Sequence, residues 1–277
     1  MKLILILAFG VAIVALLIQG QHRMIYHPRP YRANEVAPDN CRFLEYATGQ
    51  GRQVSYYILP PEREEELPDR IWLMFGGNAS LALDWLELIR DFPDRRAGFI
   101  LLEYPGYGRC RGRVSPETMM ESAAGAISAL ATHLNAGEGA VRERLSLVGH
   151  SLGAAAALLF GSRNRVDRIV LIAPFTSLRD MATLVVGKPL DRTLVHRFDN
   201  RARLGEVLAV PEPPIVTIIH GDRDKVIPVR MGRELAASSP AIRYYEERNG
   251  DHNYILVTAR KEIIAGMINA PTGPERE

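Results

Sequence analysis

The sequence predicts an α/β domain built on a mostly parallel, doubly wound sheet. From Ile71 onward, short apolar runs of strand length alternate with stretches of helical spacing, the pattern of strand–helix–strand units. One junction, Leu145–Gly153, reads Leu-Ser-Leu-Val-Gly-His-Ser-Leu-Gly and leads into an alanine-rich run, so a strand turns abruptly into a helix there. The chain has 277 residues, 47% hydrophobic and 24% charged, enough apolar material for one large core.

The chain opens with an apolar run, Leu3–Ile18, after Met1-Lys2 and before Gln19-Gly20-Gln21. It is slightly shorter than the roughly 17–25 residues of a bilayer span and longer than the about 7–15 residues of a signal-peptide core. No small-x-small cleavage site follows, so residues 1–20 are expected to be an uncleaved single-pass membrane anchor. Lys2 lies on one side of the run and Arg23, Arg29 and Arg32 on the other. The positive-inside rule alone would keep the domain in the cytoplasm. A lysine followed at once by an apolar segment has the form of an export signal-anchor, and the expectation adopted is an extracytoplasmic domain, periplasmic or luminal.

Residues 21–40, rich in Pro, Arg and Tyr, are expected to be an extended tether. The α/β domain would then span 41–270, with a polar tail at 271–277. Phe43–Ala47 and Gln53–Leu59 flank Gly49-Gln50-Gly51 and predict an N-terminal hairpin. The Glu62, Glu64, Glu65 and Glu66 run is a solvated loop without assigned function. Ile71–Phe75 is a buried strand ending in Gly76-Gly77-Asn78-Ala79-Ser80, and Ala82–Phe92 follows with helical spacing. Gly98–Leu102 is the next strand, leading to Glu103 and Tyr104-Pro105-Gly106-Tyr107-Gly108. Ser115-Pro116-Glu117 starts a helix that runs to about Leu134. Beyond the alanine-rich helix, Val166–Ala173, Ile215–Ile219 and Ile242–Glu246 predict strands, and Met231–Ser238 and Tyr254–Ile268 predict helices. The stretch between Pro174 and Pro214 has helical patterning at Leu178–Val186 and Leu204–Leu208 and reads as a small lid insert, about 175–213.

Gly149-His150-Ser151-Leu152-Gly153 is a Gly-x-Ser-x-Gly turn, which exposes a serine hydroxyl at the end of a strand. A serine is a weak nucleophile at neutral pH and needs a base, itself oriented by an acid. In this architecture the order is serine, acid, histidine. Of His196, His220 and His252, the last lies in the Asn249–Asn253 loop between the final strand and helix, where a base would top the sheet. His196 falls in the insert and is read as a surface residue; His220 ends a strand and is read as packing or bonding locally. Asp224, followed by Lys225-Val226-Ile227-Pro228, is the preferred acid; Asp222 is read as capping the turn, with Asp199 and Asp251 as weaker candidates. An oxyanion would be held by the backbone N–H of Leu152 and by that of Asn78, with Ala79 as second choice. Asn78-Ala79-Ser80 also matches a glycosylation acceptor, a reading set aside because a glycan there would block the site. The apolar residues Met181, Leu184, Val185, Val186 and Leu190 could line an acyl pocket in a fairly open site.

The formal charge of +2 argues against nucleic acid or another polyanionic partner. Cys41 and Cys110 lack metal or redox spacing and are compatible with one disulfide or two free thiols. No metal and no cofactor is called for.

With these pieces in place the chain resembles the α/β-hydrolase fold family, and within it the small membrane-anchored serine hydrolases. The resemblance is carried by Arg23–Pro30, Gly77-Asn78-Ala79, Tyr104–Gly108 with Gly112, Gly149–Gly153, Pro174-Phe175-Thr176-Ser177, His220–Asp224 and Gly250–Asn253, in that order. Gly76 stands where the family usually has histidine. The resemblance implies cleavage of a small-molecule or lipid-like acyl ester or thioester through a Ser151–Asp224–His252 triad, without cofactor. A carboxylate-dependent dehalogenase or epoxide hydrolase is excluded by Ser151. A serine peptidase of the same fold and a catalytically silent membrane-bound scaffold are the alternatives.

Overall fold

The computed structural model describes residues 20–59, 67–90, 92–188 and 190–268. The expected anchor (but for residue 20), the glutamate run and the polar tail lie outside the described residues. Among the described residues no helix is long and apolar enough to cross a membrane.

Among the described residues eight strands form one sheet: β1 Cys41–Thr48, β2 Gly51–Ile58, β3 Arg70–Phe75, β4 Ala97–Leu102, β5 Leu145–His150, β6 Arg168–Ile172, β7 Ile215–Gly221 and β8 Arg243–Glu247, in spatial order β1-β2-β4-β3-β5-β6-β7-β8. The hairpin β1–β2 joins β4 antiparallel; every later pairing is parallel. Along β3, Ile71, Leu73 and Phe75 enter the core on one face, and Trp72 and Met74 enter the core on the other. This alternation explains the continuous apolar runs: a parallel sheet covered on both faces has no wet side.

The helices are α1 Leu86–Ile89, entered through a 3-10 turn at Ala82–Trp85, α2 Pro116–His133, α3 Glu138–Arg142, α4 Leu152–Gly161, α5 Leu178–Val186, α6 Asn200–Leu208, α7 Val229–Ala236, α8 Ile255–Thr258 and α9 Arg260–Ile268. The expected start of α2 is a capping box: the Thr118 amide donates to Ser115 Oγ, and the Ser115 amide to Thr118 Oγ1. Leu152–Phe160 of α4 are all buried, which suits an Ala/Leu helix wedged between sheet and neighbouring helices. Two expectations need correction here. The single helix foreseen over Ala82–Phe92 is a 3-10 turn plus one α turn. The helix foreseen over Tyr254–Ile268 is two, since Ala259 leaves helical geometry with ψ 22°. Cys41 and Cys110 are both buried and free.

The tether is the larger correction. Residues 20–25 are helical, and the segment after them is bonded into the domain. Tyr26 is buried in the main core, and its hydroxyl pairs with His196 Nδ1 at 2.9 Å. His22 Nε2 donates to the Val114 carbonyl at 3.0 Å, and Gln21 Oε1 accepts from the Val195 amide at 2.7 Å. Further on, Tyr31 donates to buried Glu103 at 2.5 Å. A stretch rich in aromatic residues and proline thus supplies the polar and apolar anchors that dock it. His196 is half-buried against Tyr26, not a surface residue.

Candidate active site

The turn after β5 places Ser151 at φ 55°, a left-handed backbone that a serine adopts only under constraint. Close approach supplies that constraint. A Cβ on Gly149 would lie 2.2 Å from the Gly153 carbonyl oxygen, and one on Gly153 would lie 2.0 Å from that of Phe75. Both glycines are therefore required for β3, β5 and α4 to meet. The Ser151 amide is tied to β6 through the Ile172 carbonyl at 2.8 Å.

The structure brings Ser151, His252 and Asp224 together from three separate loops. His252 Nε2 lies 3.1 Å from Ser151 Oγ, and His252 Nδ1 lies 2.6 Å from Asp224 Oδ2. All three residues are buried. Asp224 Oδ1 accepts the amides of Val226 at 2.8 Å and Ile227 at 2.7 Å, so Asp224 closes the turn in which Asp222 had been the expected cap. Burial pushes the Asp224 carboxyl up, but hydrogen bonds from His220 and His252, the charge of His252 and the Ile227 amide outweigh it and hold the group well below the usual carboxylate range. An ionised Asp224 only accepts, so His252 Nδ1 must carry a hydrogen. In neutral His252, Nε2 is then the acceptor for the Ser151 hydroxyl.

Two other histidines frame this chain. His220 Nε2 donates to the Ile227 carbonyl at 2.9 Å and lies 3.3 Å from Asp224 Oδ2, a local bond as expected and also a second support for the carboxylate. His150 packs its ring 5.0 Å from that of His252. Desolvation, with the charge of His252, pushes His150 down to about 3, so it stays neutral at ordinary pH.

Leu152 begins α4, where the first amides have no acceptor within the helix. Asn78 lines the same cavity as Ser151, Leu152 and His252. Its side chain is held: Oδ1 accepts the His27 amide at 2.9 Å and the Tyr107 hydroxyl at 3.1 Å. Tyr104 donates to the Gly76 carbonyl at 2.9 Å, and Arg29 Nε donates to the Ala79 carbonyl at 3.1 Å. The loop after β3 is thus fixed from outside, by two tyrosines and by the docked N-terminal segment. The sequence reading gave these supports (His27, Arg29, Tyr104 and Tyr107) no role in the site and used their motifs only for the resemblance. Their sequence signal was the Tyr-Pro-Gly-Tyr-Gly and Tyr-His-Pro-Arg motifs. Of the alternative acids and bases, Asp199 caps α6 by accepting from the Ala202 amide, and Asp251 accepts the Asn253 amide.

The cavity above Ser151 has a volume of about 920 Å³. It is walled by α5 of the insert through Leu178, Met181, Val185 and Val186, by Leu83 and Leu86, by Leu256 and Val257, and by Met24 and Ile25. Three of the expected acyl-pocket residues, Met181, Val185 and Val186, are there; Leu184 is half exposed and not in the lining. Its size sits at the upper end of the about 300–1,000 Å³ typical of small-molecule sites.

Comparison with known proteins agrees with this architecture. The model of the α/β-hydrolase family matches residues 72–208. An uncharacterized protein of Mycobacterium tuberculosis is 27% identical over 247 residues, covering 85% of this chain and 84% of that protein. The α/β-hydrolase domain-containing protein WAV2 of Arabidopsis thaliana is 27% identical over 269 residues, covering 87% and 84%. Among solved structures, an esterase of Pyrococcus furiosus superposes with a TM-score of 0.63 at 14% identity, covering 89% of this chain and 97% of that one. A serine hydrolase without lid from Xanthomonas campestris gives 0.59 at 14%, covering 86% and 99%. The chain has the α/β-hydrolase fold.

Proposed function

We propose that this chain is a serine hydrolase that cleaves carboxylic ester or thioester bonds through an acyl-enzyme. The observation that carries the reading is the Ser151–His252–Asp224 hydrogen-bond chain at a strained strand-to-helix turn on the wall of a largely apolar cavity. In the first step Ser151 Oγ attacks the carbonyl carbon while His252 Nε2 takes its proton, and Asp224 stabilises the resulting imidazolium. The Leu152 and Asn78 amides hold the oxyanion. Collapse breaks the carbonyl carbon–oxygen or carbon–sulfur bond, and His252 returns its proton to the leaving group. Water then attacks the acyl-enzyme, with His252 taking a proton from it and passing one back to Ser151. No cofactor enters this scheme.

Covalent capture by a fluorophosphonate is the direct test. The wild-type chain should label and Ser151→Ala should not; labelling that survives the substitution refutes the assignment. Absence of both labelling and p-nitrophenyl ester turnover would favour the silent scaffold. Cleavage of peptides in preference to esters would favour the peptidase. In the same reading the apolar run Leu3–Ile18 is a single-pass anchor and the domain stands on the extracytoplasmic side. A C-terminal reporter that is active only in the cytoplasm should therefore stay silent.

A further inference from the structure

Exposed apolar side chains reach the cavity from four elements, while the α1 side also presents the exposed charges Asp84, Glu87 and Arg90. Met24 of the N-terminal helical turn, Val185 of α5, Val226 of the loop after β7 and Val257 of α8 all line the cavity, yet they are 52%, 71%, 51% and 54% exposed. Tyr254, 67% exposed, flanks Val257 at the start of α8. A single exposed apolar side chain is ordinary, but four elements converging on one opening form a patch of the kind that meets another apolar phase.

The position of the N-terminal segment says which phase. Gln21, Met24 and Ile25 belong to the cavity wall, and Gln21, His22 and Tyr26 are bonded to the domain through Val195, Val114 and His196. The apolar run Leu3–Ile18 ends three residues before Gln21. Three residues span at most about 10 Å even when fully extended. A bilayer holding that run therefore lies within about 10 Å of Gln21 in the cavity wall, three residues before exposed Met24. Tyrosine at such a rim matches the residue type found at the membrane–water boundary.

We propose that the cavity mouth seats on the bilayer surface and that its substrates are acyl esters of membrane lipids, whose chains pass from the bilayer directly into the cavity. The substrate class rests on the hydrolase reading above; the seating does not. Moving a methylene from water into the cavity is favourable, but moving one from bilayer to cavity gains almost nothing. Discrimination in favour of lipid esters then comes from delivery at the mouth, not from tighter binding inside.

Fluorophore-labelled single cysteines in the full-length chain, inserted in phosphatidylcholine vesicles carrying a spin-labelled quencher lipid, test the seating. The native thiols are buried, which leaves the introduced ones to react. Val185→Cys and Val257→Cys should be quenched, and Val210→Cys, exposed in the loop that enters the opposite end of β7, should not. A rim no more quenched than position 210, whether covered by a second copy, by residues 1–19 or by water, overturns the proposal. A second arm compares p-nitrophenyl palmitate embedded in the same vesicles with p-nitrophenyl acetate in solution. Tyr254→Asp should lower the ratio of the two rates about tenfold by weakening contact with the apolar phase; an unchanged ratio counts against delivery from the membrane. Loss of Ser151-dependent acetate hydrolysis overturns the hydrolase reading and the substrate class with it, while quenching still decides the seating.

Discussion

Replacing Asp224 with asparagine tests the tautomer argument, because the surroundings dictate which way the new amide must face. Asp224 Oδ1 accepts two turn amides, from Val226 and Ile227. Only the amide oxygen can take that place, which turns the NH2 group toward His252 Nδ1, 2.6 Å away in the native chain. A donor facing Nδ1 makes Nδ1 an acceptor and moves the ring hydrogen to Nε2. There it points at Ser151 Oγ, and His252 can no longer accept the serine proton. The loss of the negative charge also removes stabilisation of the imidazolium. Together these effects should lower kcat about 10⁴-fold, the size seen when the same inversion occurs in serine proteases, or roughly 5.4 kcal/mol of barrier at 1.36 kcal/mol per decade. The assay is steady-state turnover of a short p-nitrophenyl ester beside Ser151→Ala, with thermal unfolding as a check on the fold. KM should change little, since no lining contact is removed. Retention of more than about a tenth of wild-type kcat by a folded variant would refute the reasoning.

Other consequences are as specific. Gly153→Ala would drive a Cβ to 2.0 Å from a backbone oxygen of β3, so the variant should fail to accumulate as soluble folded protein. Asn78→Ala removes the acceptor for His27 and Tyr107 while keeping the backbone N–H, so it should cost up to about 10²-fold in kcat through misplacement of the loop, with a smaller effect on KM. Burial, against hydrogen bonds from Tyr31 and the Ala82 amide, pushes the Glu103 carboxyl up to about 8. The folded chain therefore holds a proton that the unfolded chain releases near pH 4.3. The stability this gives is intact below that value and lost as pH rises through about 8. Glu103→Gln should accordingly gain in Tm relative to wild type between pH 5 and pH 8.5, and a constant difference would disprove the buried proton. Asp224 works in the other direction: its lowered pKa stabilises the fold above about pH 4 and that contribution disappears on acidification. Acid unfolding of Asp224→Asn should therefore be less steep below pH 4.

The strands were legible because each is a short apolar run bounded by turn residues, and the strand-to-helix turn at Ser151 because its two glycines leave a local mark. That Asp224 and His252 meet Ser151 was legible because chain order restricts the candidates to a few loops. Sheet order was not: nothing local tells β4 to insert between β2 and β3. Five-residue α3, with Gly139 inside it, carries too little periodicity to be seen. The break at Ala259 was hidden by apolar spacing that runs through it. The docking of residues 21–31 was missed for a physical reason of another kind, since bonds that tie it to the domain reach partners 50 to 174 positions away. Prolines and arginines in a row describe local backbone stiffness and solubility and say nothing of such distant acceptors.

That docked segment also sets a timetable for biosynthesis. Tyr26 and His196 are separated by 170 residues. At about 5–20 residues per second, Tyr26 is synthesised about 10–30 s before its partner exists. Throughout that interval the Tyr26 hydroxyl lacks its His196 partner. The first part of the domain to be made is therefore among the last to be completed, and the cavity wall it supplies closes only after α5 and the residues behind it have been translated.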